Sequence, residues 1–171
     1  MYLLVNVLGP PSLVLLLFLG IRAYKIRETV FFNRLTVGAW GGLVSTFAYD
    51  LSRYLGLEAG IFTHNPFLSH PVFGSLITGQ PVASSLAAIV GWGYHFWNGF
   101  GFGIMYTLLA GNARWYYAVL WAMFLEVGWL TVLPATLPQL KLDGEWIAIS
   151  LSGHGMYGVV LGLISERFIR A

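Results

Sequence analysis

The chain has 171 residues, of which 57% are hydrophobic and 9% charged, with a net charge of +2, whereas an ordinary soluble domain is about 25% charged. No charged residue occurs in the 55 positions between Glu58 and Arg114, a run that predicts an integral membrane protein solvated by lipid. The small net charge and the lack of a basic patch exclude a nucleic-acid partner, and the absence of cysteine excludes disulfides, thiolate metal sites, iron–sulfur clusters and covalent c-type haem.

At about 20 residues per crossing, the apolar runs predict one all-α transmembrane domain over 1–171, with five spans at about 2–21, 35–57, 81–109, 115–134 and 146–164. The first run is interrupted by Pro10 and Pro11 and followed by Arg22, Lys25 and Arg27. Positive charge after the apolar stretch argues against a cleaved signal peptide and for a kinked first helix. The second run is rich in small residues (Gly38, Gly41, Gly42, Ser45, Ala48) and carries Asp50 and Arg53 toward its far end. The connection from Glu58 to Gln80, with Asn65-Pro66 and His70-Pro71, reads as an apolar outer loop along the interface or folded back over the bundle. The third run holds His95 and ends at a Gly111-Asn112-Ala113-Arg114 turn; the fourth holds Glu126 and the fifth His154. The fold expected is a four-helix core made of two helix pairs, plus the kinked amino-terminal helix.

Alternating five spans gathers Arg22, Lys25, Arg27, Arg34, Arg114, Arg167 and Arg170 on one side and leaves Lys141 on the other. The positive-inside rule then puts the amino terminus outside and the carboxy terminus in the cytoplasm. Trp115, Tyr116, Tyr117 and Trp146 are placed as interfacial anchors. The implied partners are the lipid bilayer and either a larger membrane complex or further copies of the chain.

Soluble-enzyme motifs are absent: there is no Walker loop, Gly-x-Ser-x-Gly elbow, His-Glu-x-x-His or EF-hand loop. Gly99-Phe100-Gly101-Phe102-Gly103 lies within a helical run and does not join a strand to a helix, so it is no nucleotide loop. Asp50 and Glu126 alone do not supply a di-iron carboxylate bundle.

A repeated pattern remains. His95 is followed at intervals of four by Gly99 and Gly103, and His154 by Gly158 and Gly162; Asp50 is preceded by Thr46 and Gly42, and Glu126 by Ala122 and Ala118. Residues four apart share a helix face, so each ionisable group lies on the stripe that lets its helix approach a neighbour. The order carboxylate helix, histidine helix occurs twice, which suggests two antiparallel pairs, with spans three and five touching through Gly99, Gly103, Gly158 and Gly162. At 1.5 Å per residue the four groups stand roughly 18–28 Å above the nearest cytoplasmic arginine, within reach of one site in the outer half of the bilayer.

The function expected is that of a membrane protein with a buried His/carboxylate site. Two imidazoles and two carboxylates suit a divalent transition metal such as zinc, iron, manganese or copper, for redox or hydrolytic chemistry or for ion passage. The ligand set expected is His95, Glu126 and His154, with Asp50 as a fourth; Asp50 could instead pair with Arg53, one turn away. Tyr94, Trp97, Asn98 and Tyr157 are supporting partners. His64 and His70 read as ordinary interfacial histidines that could add ligands. Two alternatives stand beside this: a non-catalytic accessory subunit whose His/carboxylate groups form a structural hydrogen-bonded cluster, and a b-type haem held by His95 and His154.

Overall fold

The computed structural model describes residues 9–25, 28–136 and 143–170. They form six helices: α1 (Gly9–Lys25), α2 (Thr29–Glu58), α3 (Ser69–Thr78), α4 (Ser85–Ala110), α5 (Trp115–Thr136) and α6 (Gly144–Phe168), with no strand among the described residues. Two helices start at side-chain caps that satisfy otherwise unpaired amides. Ser84 accepts from the Ala87 amide at the head of α4, and Asp143 from the Trp146 amide at the head of α6. Gly79 ends α3 at φ 72°, the left-handed conformation a helix terminus uses and a side chain resists.

The five-span reading is overturned. Among the described residues, Gly144–Phe168 is the one helix long and apolar enough to cross a membrane, and 39% of its apolar stretch is buried within the protein. A run without charge is not the same as a run of aliphatic residues. The described part of α1 has 17 residues, at the lower limit for a crossing. Arg34, Asp50, Arg53 and Glu58 all lie within α2, and α4 intersperses its aliphatic residues with Gly, Trp, Tyr, His and Asn. The multi-pass localisation falls with it, because the outside and cytoplasmic assignment of the termini required five alternating crossings. Lys141, its outer marker, lies outside the described residues. Residues 1–8, ahead of Pro10 and Pro11 in the first run, lie outside the described residues, and so does the kink expected there.

The core places α2 against both α4 and α6, packs α5 on α6, and lays α3 across α4. Small residues set these approaches. A methyl group at Gly103 would stand 2.6 Å from the Gly42 Cα, and one at Gly158 2.6 Å from the Val119 Cα and 2.9 Å from the Ala118 carbonyl. Gly99 and Gly103 of α4 therefore face α2, and Gly158 and Gly162 of α6 face α5. Spans three and five do not meet through the glycine stripes, as the sequence suggested; each stripe closes a carboxylate helix onto a histidine helix. Tyr49, Tyr106, Ala118, Ala122, Tyr157 and Leu161 fill the buried centre. Large apolar side chains, Phe47, Leu120 and Phe124 among them, stay exposed on the outer faces.

Candidate metal centre

The helix pairing brings each carboxylate to one imidazole. Asp50 on α2 meets His95 on α4: the Nε2 of His95 lies 3.1 Å from Oδ1 and 3.0 Å from Oδ2. Glu126 on α5 meets His154 on α6, with Nδ1 2.9 Å from Oε2. Tyr49 stands between these couples, its ring centroid 5.5 Å from that of His95 and 5.0 Å from that of His154. The four residues anticipated as one ligand set thus form two couples on either side of a phenol ring. The glycines expected to admit a haem macrocycle beside His95 and His154 are filled by the neighbouring helices.

A third ligand joins the first couple from the connection after α2. His70 begins the short α3, which crosses α4 closely because Gly74 and Gly91 present almost no side chain to each other's backbone. One ligand atom each from Asp50, His70 and His95 lie within 4.8 Å of one another. The His70 ring stacks on Trp92 at 4.1 Å and 4°, and meets His95 edge-on at 4.5 Å. Its Nδ1 is 3.0 Å from the Phe67 carbonyl, which can only accept, so Nδ1 carries the proton and the lone pair of the neutral ring sits on Nε2. A backbone partner of this kind also orients a metal-bound imidazole.

Electrostatics at the triad are divided. Burial, then the charge of His95, pushes the His70 imidazole down to about 4, which keeps it neutral near pH 7. Burial would raise the Asp50 carboxyl, but hydrogen bonds and charge from His95 and Arg53 outweigh it and hold the group below its usual value. Arg53 donates to Asp50 Oδ1 at 2.8 Å and to the Pro66 carbonyl at 3.1 Å, while its guanidinium lies 4.1 Å from the Tyr49 centroid. The pairing of Asp50 with Arg53 foreseen from their spacing is therefore present alongside the pairing with His95.

The histidine of each couple, His95 and His154, borders a cavity of about 380 Å³. Asn98, Tyr94 and Tyr157 line it, whereas Trp97 stacks on Phe100 away from it. Tyr157 donates to the Gly99 carbonyl at 2.7 Å, so it braces α6 against α4 and does not support an imidazole. His64 serves elsewhere, lying 3.2 Å from Asp143 and 2.7 Å from Glu145 at the exposed head of α6. His70 is the site residue that sequence reasoning left aside. The available signals were the apolar pattern Val72, Phe73, Leu76, Ile77 and the Gly79 stop, which together mark a short helix inside the supposed loop. Comparison with protein-family models, with curated proteins and with solved structures finds no match to this chain.

Proposed function

We propose that the chain binds one divalent transition metal at Asp50, His70 and His95 and presents it to the adjoining cavity for hydrolytic or redox chemistry on a small molecule. The convergence of the three ligand atoms, with His70 and His95 lining the cavity, carries this reading. Two imidazoles and one carboxylate are the donor set that holds zinc with an open position, or ferrous iron on one face. At metal–ligand distances of about 2.1 Å, neighbouring donors stand roughly 3.0–3.4 Å apart, and the Asp50 and His95 atoms are already at 3.0 Å. In the metal-free cluster His95 Nε2 must donate to Asp50, since a carboxylate accepts; a metal taking that nitrogen would require the proton to leave it, moving to Nδ1 in a neutral ring. The groove beside the metal would supply orientation through Asn98 and Tyr94 and exclude water through its aromatic walls.

One observation favours a second reading. Arg53 already neutralises Asp50, so a hydrogen-bonded cluster that only cements α2, α3 and α4 is self-consistent, as in an accessory subunit that packs on a partner through exposed Phe47 and Phe124. Metal content separates the two. Protein purified without a polyhistidine tag and resupplied with zinc, iron, manganese or copper should hold close to one ion per chain. Asp50→Asn, His70→Gln and His95→Gln should each lose it while staying folded, and Glu126→Gln should keep it. A folded parent that takes up no metal refutes the proposal in favour of the structural cluster.

A further inference from the structure

Glu126 is fully buried, and neither of its carboxylate oxygens has a hydrogen-bond partner among the described residues. Its Oε2 lies 2.9 Å from His154 Nδ1, yet the geometry of a hydrogen bond at Nδ1 is met by the Ser150 carbonyl at 3.0 Å. The contact with Glu126 is therefore one of charge against the N–H edge of the ring. A carbonyl cannot donate, so Nδ1 carries the proton and the neutral imidazole has its lone pair on Nε2. That nitrogen makes no hydrogen bond among the described residues and is not sealed from the surface, and His154 lines the cavity.

From these positions we infer that the cavity wall formed by α6 is a binding site for a small aromatic hydroxyl compound, whose O–H is accepted by His154 Nε2. Glu126 is the positioning residue: its negative charge beside Nδ1 holds the proton there and strengthens Nε2 as an acceptor. The remaining walls select the rest of the ligand. Phe73, Phe102, Trp129 and Trp146 give aromatic surface that favours offset or edge contact with a ring, in a volume suited to a compact molecule. Charge selects a neutral donor. On α2, Arg53 and the phenol of Tyr49 face the same space, and on α4 His95 does, which disfavours a cation. Glu126 on α5 disfavours an anion. A metal ion is a poor fit for this wall, because Nδ1 is occupied and Glu126 is enclosed. The site stands independently of the metal at Asp50, His70 and His95.

Metal-free protein carrying ¹⁵N-labelled histidine tests this, with phenol as the probe and toluene as its hydroxyl-free match. Nitrogen-detected spectra of the parent should show His154 protonated at Nδ1 and bare at Nε2. Phenol should shift the His154 Nε2 resonance saturably and bind at least tenfold more tightly than toluene. Glu126→Gln should weaken phenol binding about fivefold or more while leaving toluene unchanged. The proposal is overturned by a parent whose His154 carries its proton on Nε2, by phenol that saturates without moving His154, by toluene binding as tightly as phenol, or by benzylammonium binding in phenol's place. The first two outcomes are read in the parent, so a misfolded variant does not shield the idea. A chain that proves unable to bind metal leaves all of these outcomes readable.

Discussion

Gly101 and Gly103 lie two positions apart on α4 and meet opposite surroundings. A methyl group at Gly103 would stand 2.6 Å from the Gly42 Cα and 2.9 Å from the Gly42 nitrogen, whereas one at Gly101 would meet nothing within 4 Å. Carbon contacts are comfortable at about 3.5–4.0 Å, so Gly103→Ala must push α2 and α4 apart by about 1 Å, against backbone that cannot swing aside. Overpacking of this kind costs about 1–3 kcal/mol, offset by about 1 kcal/mol from the better helix propensity of alanine. Gly101→Ala receives the propensity gain alone. The first variant should be destabilised by up to about 2 kcal/mol and melt up to roughly 6 °C lower, and the second should melt higher than the parent. Because Asp50 and His95 belong to the same two helices, Gly103→Ala should also weaken metal binding, and Gly101→Ala should not. Thermal unfolding followed by circular dichroism, with a metal titration of each variant, reads both effects. Equal stability of the two variants would show that the glycine stripe does not set the distance between α2 and α4.

Further outcomes follow from the charges around the triad. In metal-free protein the His70 imidazole is depressed from 6.5 to about 4, so the unfolded chain takes up a proton that the folded one refuses. The stability this confers is complete above about pH 6.5 and is lost as the pH falls toward 4, by about 3 kcal/mol at 1.36 kcal/mol per unit. Urea unfolding across that window should show the loss in the parent and a flatter profile in His70→Gln. Arg53→Met retains packing on Tyr49 and Phe67 but removes a cation 2.8 Å from Asp50. Calorimetric titration should then find metal bound at least tenfold more tightly, whereas a purely structural cluster would lose stability and gain no affinity. Asp143→Ala removes the cap on Trp146 and a partner of His64, and should cost about 1 kcal/mol of thermal stability without changing metal content.

The small-residue stripes of Asp50 and Glu126, His95 and His154 were legible because close helix approach demands glycine or alanine at intervals of four, and the carboxylate and histidine helices do close through them. Which helix each stripe faces was not legible: Gly99 and Gly158 obey the same local rule whether they meet one another or Gly42 and Ala118. The apolar composition misled about membrane crossings, since the uncharged stretch across α3 and α4 owes much of its length to Gly, Ser, Thr and aromatic residues. His70 was passed over because the segment around it is punctuated by proline at 66 and 71 and by Gly79. Pro71 falls in the first turn of α3 and Gly79 ends it, so neither dissolves the helix. Tyr49, which divides the four ionisable groups into two couples, carries no sequence signal that separates it from other aromatics of the core.

X-ray absorption at the metal edge of zinc-loaded protein tests the triad most directly, because it counts imidazoles at the ion. Asp50, His70 and His95 as ligands predict light-atom donors at about 2.0–2.2 Å with two imidazoles in the parent, and one imidazole in whatever zinc His70→Gln retains. Two imidazoles in the parent that fall to one in His154→Gln, with His70→Gln unchanged, would contradict the assignment and move the ion to the other side of Tyr49.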